Sequence, residues 1–109
     1  MKRRREILSN ILKGKDHTEF EKRVYGAVLT IPSGEIRSYA WVARHIGAHN
    51  AYRAVGNALN KNRYPKIIPC HRVIRRDGSI GGYAKGLGAK RRLLKSEGID
   101  SSQMRCYNL

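Results

Sequence analysis

The run Pro69-Cys70-His71-Arg72 is the part of this chain best equipped for covalent chemistry. A cysteine attacks as its thiolate, and a neighbouring base or positive charge favours that state. His71 is the candidate base and Arg72 a positive charge close to Cys70. A base also needs an acid to orient its ring. Glu97, at the end of the last helical segment, reaches His71 if that helix packs across the site. A lone cysteine is most often buried core, but Pro, Cys, His and Arg in succession make poor core material. Cys106 lies near the C-terminus, where chains are often frayed, and the two thiols are expected to stay reduced. His45 and His49 are four apart, yet Gly47 interrupts the helix that would align them. Neither a metal nor a cofactor is expected.

The charge balance names a class of partner. Lys and Arg number 23 against 8 Asp and Glu, a formal net charge of +15 over 109 residues. Much of the excess falls between Arg37 and Lys95, including Arg44, Arg53, Lys61, Arg72, Arg75, Lys90, Arg91 and Arg92. Such an imbalance repels itself in the folded state and suits a polyanion, with nucleic acid the expected partner. The length corresponds to one domain. No stretch approaches the roughly 18 apolar residues of a membrane span. The basic start Met1-Lys2-Arg3-Arg4-Arg5 precedes an apolar stretch, Ile7 to Leu12, too short and too broken for a signal peptide. The expectation is a soluble, cytoplasmic chain (nuclear in a eukaryote) that acts as a monomer.

The elements that must position these residues are mostly helices. Residues 1–17 read as a basic extension in which Ile7, Leu8, Ile11 and Leu12 form a short amphipathic helix. Thr18 and Glu21 make a capping box, and Phe20, Val24, Ala27, Val28 and Ile31 mark one face of a helix from Glu19 to about Thr30. Pro32-Ser33-Gly34 ends it. Ser38 caps a second helix, Tyr39 to about Ile46, stopped by Gly47. Asn50 is the expected cap of a third, about Ala51 to Leu59. Two short helices joined through a glycine form a helix-turn-helix signal, weak by itself. The third helix carries Ala51, Ala54, Gly56 and Ala58, and Gly56 costs about 1 kcal/mol relative to Ala there. Small residues allow either tight packing on the second helix or entry into a minor groove only about 6 Å wide. Arg76-Asp77-Gly78-Ser79 reads as a hairpin turn, and Gly81, Gly82, Gly86 and Gly88 around Tyr83 as a loop that must adopt special backbone angles or approach a ligand closely. A last helix, Ala89 to Ser96 with Leu93 and Leu94, ends at Gly98. The expected fold is mainly α with a small β-hairpin, a winged-helix-like helix-turn-helix domain over residues 18–99, with 100–109 a tail.

Ile68-Pro69-Cys70-His71-Arg72-Val73-Ile74 resembles the active-site signature of the O6-alkylguanine-DNA alkyltransferases. The resemblance runs from about Phe20 to Gly98. It includes Gly34-Glu35, Ser38-Tyr39, Arg53-Ala54-Val55-Gly56, Asn62, Gly81, Tyr83, Leu93-Leu94 and Glu97-Gly98, and it points to the catalytic domain of that family. It implies that Cys70 takes an alkyl group from O6-alkylguanine, or from O4-alkylthymine, in double-stranded DNA, once per molecule. His71 would act as base through a water and Glu97 would orient it. Tyr39 would protonate the leaving guanine and Asn62 would brace the turn. Arg53 would fill the gap left by the flipped nucleotide, with Tyr52, Ala54, Gly56, Asn57 and Arg72 at the DNA. Leu59, Gly81, Tyr83, Ala84 and Lys85 would form the base pocket.

The sequence departs from the family pattern in several places. About 19 residues stand where relatives carry an N-terminal domain, which in some holds structural zinc. Tyr52 and Asn57 replace small residues, Ala84 replaces a serine, and Lys85 a glycine at the pocket mouth, so bulky benzyl adducts are expected to react poorly. Three rivals fit less well. Alkyltransferase-like proteins, which bind the lesion without transfer, replace the cysteine that this chain keeps as Cys70. A winged-helix regulator explains the charge but not Cys70-His71-Arg72. For a cysteine hydrolase, nothing here resembles an oxyanion hole.

Overall fold

The computed structural model describes residues 17–62, 67–75 and 86–99. The described elements are α1 (Glu19–Val28), β1 (Arg37–Ser38), α2 (Tyr39–His45), α3 (Tyr52–Asn60), a 3₁₀ turn (Cys70–Arg72), β2 (Val73–Ile74) and α4 (Leu87–Ser96). The mainly helical helix-turn-helix class read from the sequence is the class observed.

Local signals start and stop these helices. Thr18 Oγ1 accepts from the Glu21 amide at 3.0 Å, and the Glu21 carboxylate accepts from the Thr18 amide at 3.2 Å, closing the capping box of α1. The helix ends at Val28, two residues before the expected Thr30, because the next residues tighten into turns onto the Ala27 and Val28 carbonyls. Ser38 Oγ accepts from the Trp41 amide at 2.9 Å and caps α2. At its other end Gly47 takes φ +78°. The Ala48 amide donates to Ala43 O at 2.9 Å and the Gly47 amide to Arg44 O at 3.0 Å, the Schellman pattern that only a left-handed residue closes comfortably. Asn50 does not cap α3. Its N-cap is Ala51, without a side-chain hydrogen bond, because the preceding turn (Ala51 amide to Ala48 O, 2.9 Å) leaves Asn50 one residue before the cap position.

α1, α2 and α3 enclose one apolar cluster with the cysteine-bearing turn: Val24, Val28, Val42, Ala43, Val55, Ala58, Ile68, Cys70 and Val73 are among its buried members. The fully buried Tyr25 ties α1 to α3 by donating its hydroxyl to Ala58 O at 2.8 Å. A buried tyrosine needs such an acceptor. The two strands are only two residues each and pair in parallel, Arg37 opposite Val73 and Ser38 opposite Ile74. They are therefore not the two arms of a hairpin. The turn expected at Arg76–Ser79 lies outside the described residues, as do Ile7 to Leu12 and Cys106. A second cluster, Ile36, Ile74, Leu94 and Ile99, seats α4 against this small sheet.

Candidate active site

Cys70 opens the 3₁₀ turn and is 6% exposed. The turn is held from both sides. The Cys70 amide donates to Ile68 O at 2.8 Å, and Asn62 Nδ2 donates to the same carbonyl at 3.0 Å. Behind the cysteine, the Arg72 amide reaches Pro69 O at 3.0 Å and the Val73 amide closes onto Cys70 O. Asn62, buried at the end of α3, thus couples the helix-turn-helix to the cysteine.

Glu97 arrives from the opposite end of the sequence by a precise piece of helix termination. It is the C-cap of α4, and Gly98 follows at φ +85°. The Ile99 amide donates to Leu94 O at 2.9 Å and the Gly98 amide to Lys95 O at 3.0 Å, a second Schellman motif, whose hydrophobic partners Leu94 and Ile99 are both buried. Gly34 completes the seat: its φ of +88° is one that L side chains rarely adopt, while a Cβ there would make only an ordinary 3.4 Å contact with the Glu97 main-chain carbonyl.

The side chains that meet are His71, Arg72 and Glu97. His71 Nε2 lies 3.0 Å from Glu97 Oε2. Arg72 Nε donates to Glu97 Oε1 at 2.9 Å and Nη2 to Oε2 at 2.6 Å, while Nη1 donates to Ile31 O at 2.8 Å. Burial alone would raise the Glu97 carboxyl, but hydrogen bonds from Arg72 and His71 outweigh it and bring its pKa down to about 2. Glu97 is then ionised at neutral pH and can only accept, so the His71 proton sits on Nε2. Burial lowers the His71 pKa against the pull of Glu97, which keeps the ring neutral at that pH. Its Nδ1 is buried and has no hydrogen-bond partner among the described residues. A neutral imidazole with a fixed Nε2–H presents its lone pair at Nδ1, the arrangement of a base.

Arg72 was expected at the DNA. Its guanidinium is instead committed to Glu97 and Ile31, because a carboxylate brought beside a neutral His in a closed site requires a cation. Tyr39 stands at the start of α2, where burial raises its pKa; Arg75 works against that and Cys70 with it, so it remains a phenol at neutral pH. On α3, Val55, Ala58 and Leu59 face inward, and Leu59, expected at the pocket, belongs to the cluster that contains Cys70. Tyr52, Arg53, Ala54 and Asn57 lie on the exposed side, Tyr52 at 49%. A Cβ on Gly56 would meet the Tyr39 ring at an ordinary 3.9 Å, so packing on α2 does not itself demand glycine there. Gly81, Tyr83, Ala84 and Lys85 lie outside the described residues. Among the described residues no cluster of three or more His, Cys, Asp or Glu is placed to hold a metal. His45 instead stacks on Trp41, with centroids 4.7 Å apart.

The sequence reading missed Lys90. It was counted only in the basic excess, yet it is fully buried, with Nζ donating to Val73 O at 2.7 Å and lying 5.7 Å from the centre of the Tyr39 ring. The spacing Lys90, Leu94, Glu97 is one helical face, and reading it would have placed Lys90 inward with the other two.

Residues 19–99 match the family model described as 6-O-methylguanine DNA methyltransferase, DNA binding domain. The methylated-DNA–protein-cysteine methyltransferase of Methanosarcina acetivorans is 52% identical over 81 residues, covering 74% of this chain and 52% of that protein. Its counterpart in Mycobacterium leprae is 51% identical over 80 residues, covering 73% and 48%. The chain thus spans about half the length of the curated relatives it matches. Among solved structures, Mycobacterium tuberculosis OGT in complex with DNA superposes with a TM-score of 0.74 at 44% identity, covering 84% of this chain and 58% of that one. S. pombe Atl1, solved with damaged DNA containing O6-carboxymethylguanine, superposes at 0.69 with 33% identity, covering 75% and 78%. No helix among the described residues is long and apolar enough to cross a membrane.

Proposed function

From the premise that this chain belongs to the 6-O-methylguanine DNA methyltransferase DNA-binding domain family, we propose that it repairs O6-alkylguanine in double-stranded DNA by moving the alkyl group onto Cys70. In this reading residues 18–99 carry both DNA binding and transfer, making them the family's catalytic domain. One arrangement carries the reading: a buried cysteine whose neighbour, His71, is held neutral with its Nε2–H on the ionised Glu97 and its Nδ1 lone pair unused.

The proposed steps follow from those protonation states. Cys70 gives its proton, through a water, to His71 Nδ1. The thiolate attacks the alkyl carbon in line, the S–C bond forms and the C–O bond breaks. The departing guanine takes a proton from the Tyr39 hydroxyl, which is later restored from solvent. The products are guanine in DNA and S-alkylcysteine, a thioether that water does not cleave, so each molecule reacts once. Asn62 holds the turn against recoil through the Ile68 carbonyl. The target base reaches this buried thiol only after rotating out of the stack, and Arg53, with Tyr52, Ala54 and Asn57 beside it on the exposed face of α3 and the half-buried Gly56 at its edge, occupies the minor groove and the gap. The exposed cations Arg44, Arg75, Arg91, Arg92 and Lys95 supply sequence-independent attraction to phosphates. The pocket roles of Gly81, Tyr83, Ala84 and Lys85 are part of the same proposal.

The test is mass measurement after incubation with an oligonucleotide containing one O6-methylguanine. The expected result is a gain of one methyl group on the Cys70 peptide, absent in Cys70→Ser. Tight binding to the lesion with no mass gain would overturn transfer and leave a lesion-binding protein.

A further inference from the structure

A positive charge beside the cysteine was expected from Arg72, but that charge is neutralised by Glu97. The triad of His71, Glu97 and Arg72 therefore offers a proton acceptor and little net field to favour the thiolate. A second cation lies deeper. Lys90 projects from α4 into the protein, is fully buried, and donates to the carbonyl of Val73, whose own amide closes the turn onto Cys70 O. Burying an ammonium is costly unless an anion or strong acceptor meets it, and Val73 O is one such acceptor, set on the residue that closes the cysteine-bearing turn.

We propose that Lys90 is a positioning residue for the alkyl transfer proposed above, holding the Val73 carbonyl behind the cysteine-bearing turn and supplying the ammonium that stabilises Cys70 as its thiolate. The charged and titratable groups around it are Tyr39 on α2, Cys70 and His71 on the turn, and Arg75 after β2. Burial pushes the Lys90 pKa down to about 8, with the Cys70 thiolate pulling it up and Arg75 pressing it down. The attraction is reciprocal: whatever the thiolate gives Lys90, Lys90 gives the thiolate. At neutral pH the ammonium form still predominates, and it fades in mild alkali. The site thus divides its work. His71 accepts the proton, Glu97 and Arg72 fix His71, and Lys90 holds the sulfur in its charged form.

Iodoacetamide alkylation of the Cys70 peptide, followed by mass across a pH series, reads thiolate formation without DNA and without interference from Cys106. Lys90→Met keeps an apolar stem of similar length and removes the charge. Alkylation of Cys70 should slow about tenfold at neutral pH, with the whole pH curve displaced upward. A curve that coincides with that of the wild-type chain overturns the proposal. Where Lys90→Met does not fold, the deciding measurement is an NMR titration of the Lys90 ε-carbon in the wild-type chain and in Cys70→Ser. Removing the thiolate should lower the Lys90 midpoint, and an unchanged midpoint overturns the proposal. A wild-type chain that reacts with iodoacetamide yet takes no methyl group from DNA would sink the transfer reading alone, leaving the effect of Lys90 on the thiol intact.

Discussion

The cysteine-bearing turn and the exposed face of α3 are built on opposite terms. Around the turn, each side chain with a proposed chemical role is closed in and most are bonded to the fold: His71 to Glu97, Arg72 to Glu97 and Ile31, Asn62 to Ile68, Lys90 to Val73. On α3, Arg53 and Asn57 lie on the outside of a helix whose other face, Val55, Ala58 and Leu59, is core. Groups that must hold one geometry and one protonation state are fixed before the substrate arrives. Groups proposed to meet DNA are presented by the helix on its exposed side. Asn62, at the end of that helix, joins the two regions. A change in the first region should therefore alter reactivity and stability together, and a change in the second should alter affinity alone.

The largest expected effect is that of Glu97→Gln. An amide cannot hold His71 and Arg72 as an anion does, so His71 loses its fixed Nε2–H and Arg72 its counter-charge. We expect transfer to Cys70, measured as a single-turnover rate, to fall about a hundredfold. The Glu97 side chain is 13% exposed, and after solvent screening we expect a loss of about 2 kcal/mol in urea unfolding at neutral pH. The sign in pH follows from a folded pKa of about 2 against 4.5 unfolded. The stabilisation is complete above the unfolded value and disappears as the pH falls from about 4.5 towards about 2. Glu97→Gln should therefore flatten the acid limb of the stability profile. A variant with wild-type rate and acid limb would show that Glu97 holds neither His71 nor the fold.

Arg53→Ala tests the open region. Affinity for O6-methylguanine duplex should fall about tenfold, roughly 1.4 kcal/mol, and the dependence of binding on salt should lose about one phosphate equivalent if the guanidinium also meets the backbone. Urea unfolding should stay within about 0.5 kcal/mol of wild type, as for other exposed positions. Reduced stability would mean that Arg53 is part of the fold and that the contrast between the regions is drawn in the wrong place.

What could be read beforehand divides along similar lines. The capping box at Thr18, the cap at Ser38 and the glycine stops at Gly47 and Gly98 involve neighbours in sequence, and each is realised. Cys70, His71 and Glu97 were legible as a group because the stop at Gly98 places Glu97 at a helix end facing the site. Long-range outcomes were less visible. Strands of two residues are too short for alternation to declare itself, so the parallel pairing of Arg37 with Val73 left no local trace. The inward turn of Arg72 and Lys90 depends on what packs opposite them, the Glu97 carboxylate and the Val73 carbonyl, and net charge says nothing about direction. Asn50 has the right chemistry for a cap and sits one residue too early.

The smallest effect is expected from Thr18→Ala, which is remote from both regions and serves to calibrate them. Loss of the Oγ1 acceptor leaves the Glu21 amide without its cap and should cost about 1 kcal/mol. α1 supplies Val24, Tyr25 and Val28 to the core that backs Cys70, so this loss weakens the support of the site without touching its hydrogen bonds. If the turn is held locally, as its bonds to Asn62, Glu97 and Lys90 imply, the transfer rate per folded molecule and the affinity for alkylated DNA should both equal wild type while the urea midpoint falls. A transfer rate that fell with stability would mean that the geometry at Cys70 depends on the whole core rather than on its immediate neighbours, and the effect of Glu97→Gln on rate would then have to be corrected for its effect on folding.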